Sequence, residues 1–305
     1  MKTNKRFLNV KLATALVALL FAFLVSCQNN GDILSANDTQ NVNAESASAS
    51  FANESSDIAS SAVGGMPALQ YSGAQAASEP VLGLGSKDDR LQCATVTINR
   101  MGNKDAPAGT VIIDYGTAGT CTDNHGVVRK GQIIITYAGK RWVPGSSVNL
   151  RLVGYYRNDA HVEGNLTLTT QLSTDSLHLQ FHSVLDSGKV TFGDGKTITR
   201  THNLTREWLR SQVSPINDEW VTLKDGTAAG TTKNGTTYSM LITKSLIEKV
   251  ACRAEKVFIP ISGTKMVTVG NAQYTVDYGD GTCDNIITVT LNGKSKQISV
   301  TQEGN

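Results

Sequence analysis

The chain has 305 residues, enough for one large or two modest domains with a buried core. Lysine and arginine number 28 against 26 acids, a near balance that gives no reason to expect nucleic acid or an acidic polymer as partner. Glycine is plentiful, proline scarce and charge modest, which suits an extracytoplasmic β-rich protein.

The chain opens as a targeting segment. Lys2, Lys5, Arg6 and Lys11 make a basic start, and Leu12 to Val25 make an apolar run too short for a comfortable bilayer span. The run ends at Leu24-Val25-Ser26-Cys27, which resembles the lipobox of bacterial lipoproteins. That resemblance implies removal of residues 1–26 and acylation of Cys27, on sulfur and on the new amine, by chains such as palmitate. Several acyl chains on one residue hold a protein on a bilayer, where one alone binds only marginally. The expected partner is therefore the lipid bilayer, through Cys27, and the expected location is the outer membrane. Which side of it is left open, because Asp32 is the only acid just after Cys27.

Residues 27–90 read as a tether. Ser, Ala, Asn, Gly and Gln dominate, and such a composition buries too little apolar surface to offset its ordering entropy. At Leu91 the character changes and short alternating runs follow one another. Cys93–Ile98, Thr110–Ile113, Gln132–Tyr137 and Val148–Val153 come first, then Asn165–Thr169 and Ser176–His182. Phe192-Gly-Asp-Gly195 reads as a hairpin turn and Thr205–Gln212 as a helical turn. Trp220–Leu223, Thr237–Ile242, Val257–Ile261 and Gln273–Val276 continue the series. Asn292-Gly293 between Ile286–Leu291 and Lys296–Val300 is a strong hairpin signal.

One stretch occurs twice: Asp114-Tyr115-Gly116 leading to Cys121, and Asp277-Tyr278-Gly279 leading to Cys283. Cys93 precedes the first copy and Cys252 the second, at similar distances. The implied architecture is all-β, with duplicated β-rich modules at 91–165 and 250–305 joined by a meander at 166–249. Evenly spaced short strands favour a sandwich or open barrel. Four cysteines in an exported chain imply disulfides in one of three pairings, and the repeat favours Cys93 with Cys121 and Cys252 with Cys283. The absence of a C-x-x-C argues against zinc.

The run Asp277 to Asn285 with Val289-Thr-Leu-Asn-Gly-Lys294, and Cys93 to Thr97 with Arg129 to Tyr137, resembles a recurring outer-membrane lipoprotein family of Bacteroidota. It spans roughly 91–305 and implies location and fold, with no activity attached.

Candidate chemistry is sparse. Asp277, Asp280 and Asp284 lie in a Gly-containing loop and offer oxygen ligands for calcium, as do Asp114 and Asp123; Asp and Gly are also ordinary turn formers. Calcium is the only cofactor this suggests. His178 and His182, four apart on a strand, stand about 13 Å apart and cannot share one zinc. No Gly-x-Ser-x-Gly elbow appears, and Asp218 and Glu219 are neighbours whose side chains point to opposite faces of a strand. For binding, Trp142, Tyr155, Tyr156, Trp208 and Trp220 offer rings to stack on sugars, while Lys196, Arg200 and Arg206 offer charge to an anion. The reading is a membrane-anchored envelope lipoprotein with a binding or structural role, its ligand a glycan or an envelope protein. The alternative is an extracytoplasmic hydrolase of polysaccharide or envelope polymer.

Overall fold

The computed structural model describes residues 34–64, 79–82 and 88–300, except 125, 141, 256 and 258. Cys27, the expected signal peptide, and residues 65–78 and 83–87 of the expected tether lie outside the described residues.

Sixteen strands form one antiparallel sheet, so the all-β class implied by the alternating runs holds. They are β1 (Glu79–Leu82), β2 (Thr95–Gly102), β3 (Pro107–Asp114), β4 (Cys121–Thr122), β5 (Val128–Ala138), β6 (Ser147–Arg157), β7 (Ala160–Leu172) and β8 (Leu179–Thr191). They continue as β9 (Thr197–Leu209), β10 (Glu219–Thr222), β11 (Thr227–Thr231), β12 (Thr237–Lys249), β13 (Ser262–Val269), β14 (Ala272–Asp280), β15 (Ile286–Leu291) and β16 (Lys294–Ser299). Sequence neighbours are mostly sheet neighbours, with β4 set beside β5, and with β10 and β11 filling successive parts of the lane between β9 and β12. Short connections that cannot cross make this meander the simplest arrangement for the run of hairpins.

Alternation puts every second side chain on one face, and on that face the core assembles. Val96, Val111, Ile113, Ile133, Ile135, Leu150 and Leu166 belong to one cluster reaching Val190 on β8. Leu204, Ile242, Val267, Val276 and Val289 belong to another that runs from β9 to Val300. The division falls between β8 and β9, inside the stretch expected as a meander. The two Asp-Tyr-Gly copies close β3 and β14, and Tyr115 and Tyr278 are both buried there. Cys93–Cys121 and Cys252–Cys283 are bonded, with Cα atoms 5.3 and 5.2 Å apart. Asn292 and Gly293, at φ 52° and 76°, make the tight turn between β15 and β16.

Two local expectations change. Thr205–Leu209 extends β9 and is not a helical turn, because Trp208 pairs with Trp220 of β10 and Arg206 with Thr222. The strand expected near Val257–Ile261 lies one step later, as β13. Its buried positions are Gly263, Lys265, Val267 and Val269, and a lysine on the core face hides the alternation.

The stretch expected as a tether carries a helix, α1 (Ala36–Gly64). Ser35 and Asp38 begin it as a reciprocal cap: Ser35 N donates to Asp38 Oδ2 at 2.8 Å, and Asp38 N donates to Ser35 Oγ at 3.1 Å. Its buried residues include Val42, Glu45, Ser48, Ala52, Ser55, Ala59 and Ala62, a series that recurs every three or four positions, with Asn41, Phe51 and Ile58 beside it. Of its described side chains only Gln40 and Asn43 are exposed. The sheet therefore curls around α1, with Phe51, Ile58 and Ala62 in the first core and Val42 in the second.

Candidate functional site

Strand register gathers aromatic rings at one end of the core-facing side of β7 to β10. On β9 the even positions run Ile198, Arg200, His202, Leu204, Arg206, Trp208; the first four are buried and the last two half-buried. Cross-strand pairing sets Leu179 of β8 and Trp220 of β10 on either side of Trp208, and Phe181 beside Arg206. Directly opposed and diagonal residues on one face are close enough for rings to touch.

The Trp208 and Trp220 indoles stack at 5.7 Å with 6° between planes. Trp142, from the β5–β6 connection, leans on Trp208 at 5.2 Å, and Phe181 leans on Trp220 at 5.6 Å. Two arginines flank the rings. The Arg206 guanidinium lies 5.0 Å from the Trp220 ring centre and also pairs with Glu248 at 3.0 Å. Arg210, exposed, lies 5.7 Å from Trp208.

The platform is anchored from below. Asp218, 5% exposed, accepts a hydrogen bond from Trp208 Nε1 and one from the Ser211 backbone N–H, each at 2.8 Å. That fixes the indole plane and also the start of the β9–β10 connection. Trp142 is 42% exposed, and Leu172, Leu177, Val213 and Ile216 are exposed on segments entering the same end. Half-buried rings with the Trp208 N–H already satisfied, and Trp142 the most open of the three tryptophans, leave aromatic surface of the kind that the C–H face of a sugar ring or another planar ligand meets.

The structure thus brings together Trp142, Trp208, Trp220 and Arg206, and adds Phe181, which sequence reasoning missed though it alternates within a recognised strand. It separates the others. Tyr155 is 2% exposed and packs on Tyr115 at 5.8 Å; Tyr156 stacks on His161 elsewhere. Lys196 sits exposed at the β8–β9 turn, and Arg200 is buried against α1.

The acidic turns are spent on their own backbone. Asp277 Oδ1 accepts from Gly279 N at 2.9 Å, Asp280 Oδ1 from Thr282 N at 3.1 Å, and Asp284 Oδ1 from Ile286 N at 2.9 Å. Hydrogen bonds from Thr282 hold the Asp280 carboxyl below its ordinary range. Asp114 makes the matching bond to Gly116 N at 2.8 Å in the first copy. Among the described residues no three His, Cys, Asp or Glu side chains gather as a metal would need. The turn role accounts for these residues.

By fold and site the molecule is an all-β protein with a helix held in its curled sheet and an aromatic platform at one end. Comparison with protein-family models, with curated proteins and with solved structures finds no match to this chain.

Proposed function

We propose that this protein is an outer-membrane lipoprotein, anchored through acylated Cys27, whose β domain binds glycan through the Trp142–Trp208–Trp220 platform. The observation that carries the binding role is the stacked indole pair, locked by Asp218 and left half-open to solvent. Buried rings would speak for packing alone; these are held rigid and still accessible, so little side-chain entropy is lost when a ligand stacks. The anchor rests on the basic start, the short apolar run and the Leu24–Cys27 motif.

Two measurements test it. Trp208→Ala with Trp220→Ala should lower retention on a glycan surface at least tenfold while the strand circular-dichroism spectrum persists; unchanged retention, or no glycan retained by the unaltered protein, overturns the binding role. Cys27→Ala should move the protein from the detergent phase to the aqueous phase of a Triton X-114 partition. A variant that stays in the detergent phase overturns the anchor.

A further inference from the structure

The open apolar surface of the molecule gathers at one end of the sheet. Among the described residues ten large apolar side chains are exposed, and six of them belong to three connections. Trp142 and Val143 lie between β5 and β6, Leu172 and Leu177 where β7 turns into β8, and Val213 and Ile216 between β9 and β10. In an antiparallel meander such alternate connections fall at the same end of the strands. Pairing makes them neighbours: Gly145 N donates to Thr170 O at 2.8 Å, Leu179 is registered with both Leu172 and Trp208, and the Trp142 ring meets Trp208 at 5.2 Å. Val213 and Leu177 are the most exposed of the ten, at 87% and 74%.

These tips are held in place. Ser173 N donates to His178 O at 2.9 Å and Ser176 N to Ser173 O at 2.8 Å, which closes the β7–β8 turn. Val213 N donates to Ser211 Oγ at 3.1 Å, and Ser211 N is itself fixed by Asp218. Trp142 and Ser176, just before Val143 and Leu177, have φ of 60° and 59°, a left-handed backbone that a side chain as bulky as tryptophan rarely adopts. Apolar groups clustered outside the core, on turns that carry a conformational cost, mark a contact surface.

The charge on the same turns decides what covers them. Residues 139–146, 172–178 and 210–217 carry Lys140, Arg141 and Arg210 against one acid, Asp175. Asp175 is spent within its own turn, accepting from Ser173 Oγ and from the Leu177 backbone N–H. Asp218, next in the chain, is buried and held by Trp208. Lys140 reaches Asp105 at 3.4 Å, but both are exposed and such a pair holds little. Cations beside a tryptophan and aliphatic tips match the boundary of a bilayer, where anionic headgroups meet acyl chains and indole rings collect. A second copy would bring charge of the same sign. Side chains raised on three separate turns also suit a deformable lipid surface better than a flat protein face.

We propose that this end of the sheet docks on an anionic lipid surface. Val143, Leu177, Val213 and Ile216 enter the edge of the acyl region, Trp142 lies at headgroup level, and Lys140 and Arg210 meet the phosphates. The contact goes beyond the acyl anchor and needs neither an acylated Cys27 nor a glycan.

The test uses the full chain carrying Cys27→Ala, so that no acyl chain contributes, and sedimentation with phosphatidylcholine vesicles with and without phosphatidylglycerol. The protein should sediment with the anionic vesicles, less with the neutral ones, and come off as salt rises. Adding Leu177→Ser and Val213→Ser, both exposed and outside the aromatic platform, should lower the bound fraction at least tenfold while the melting temperature holds. Vesicles brominated on the acyl chains should also quench the tryptophan emission of the Cys27→Ala chain. Failure of that chain to bind, binding that survives both serines, or emission left unquenched in a bound protein overturns the proposal. So does dimerisation without vesicles that the two serines abolish, since the patch would then join two copies. Detergent partition of the unaltered chain judges the acyl anchor separately, and glycan retention judges the platform.

Discussion

Position 202 shows what one residue can cost this fold. His202 is 6% exposed, shares a 2.8 Å hydrogen bond between Nε2 and Ser183 Oγ, and has Arg200 two residues away on the same face. Burial first, and then the Arg200 charge, push its imidazole down to about 3. The folded protein therefore holds His202 neutral, while the unfolded chain takes up a proton near pH 6.5. Stability is whole above about 6.5 and falls by about 1.4 kcal/mol per pH unit below it, until the pH approaches 3. Glu45 acts in a lower window. Burial alone would raise its carboxyl, but Lys265 and Arg200 outweigh burial and hold it at about 2, so its contribution is present above about 4.5 and fades as the pH falls toward 2. Between pH 6.5 and 4.5 only the histidine acts of these two. Urea unfolding at pH 7 and 4.5 should show a loss of about 2–3 kcal/mol in the unaltered protein. His202→Gln, which keeps a hydrogen-bonding group for Ser183, should lose far less over the same interval; an unchanged loss would refute the assignment.

At the scale of elements, the sequence makes some pieces plain and conceals others for physical reasons. Strands such as Gln132–Tyr137 and Ile286–Leu291 are legible because one face is apolar and the other, Ile134 and Ile286 apart, is polar. The cystine pairs are legible because duplication makes Cys93–Cys121 and Cys252–Cys283 equivalent, and both are bonded. Helix α1 is hidden because its buried stripe is periodic in size and charge, not in hydropathy: Glu45, Ser48, Ala52, Ser55 and Ala59 look like linker until Arg200, Lys265, Arg129 and Arg157 are set against them. β13 is hidden by the same network, through Lys265. The bulge at Gly131 is another feature that propensity does not announce. Its φ is 86°, a Cβ there would lie 1.9 Å from the Gly154 carbonyl oxygen, and its backbone bonds to Tyr115 and Gly116 tie β5 to the first Asp-Tyr-Gly turn. The aromatic platform was half legible. The tryptophans are conspicuous as residues, but only register shows that Trp142, Trp208 and Trp220 converge while Tyr155 and Tyr156 do not.

For the molecule as a whole, the question is whether two related modules behave as two domains or one. The repeat suggests two, and the core does form two main clusters. Three features join them. The β8–β9 pairing runs from Leu179–Trp208 to Thr191–Thr197, with one register shift between Leu185 and Gly188. α1 places side chains in both clusters and carboxylates against cations of both. Arg200, on the strand that opens the second cluster, also lines the void under Phe51 of the first. Neither half can open without breaking a row of backbone bonds and stranding a buried charge, so unfolding should be cooperative. The disulfides give the means to test this. They close loops of nearly equal length, with sequence separations of 28 and 31, so in the chain-entropy model each stabilises by about 3.5 kcal/mol. The variants Cys93→Ala/Cys121→Ala and Cys252→Ala/Cys283→Ala should each shift one common urea transition, by similar amounts. Far-ultraviolet circular dichroism reports the whole sheet, and tryptophan emission in a Trp142→Phe background, which removes the one tryptophan of the first module, reports the Trp208–Trp220 stack near its middle; the two curves should superimpose in both variants. If removing the Cys93–Cys121 bond instead produced an early step in dichroism that the emission did not follow, the first module would be unfolding alone. The helix would then be a strap between independent domains and not part of one core.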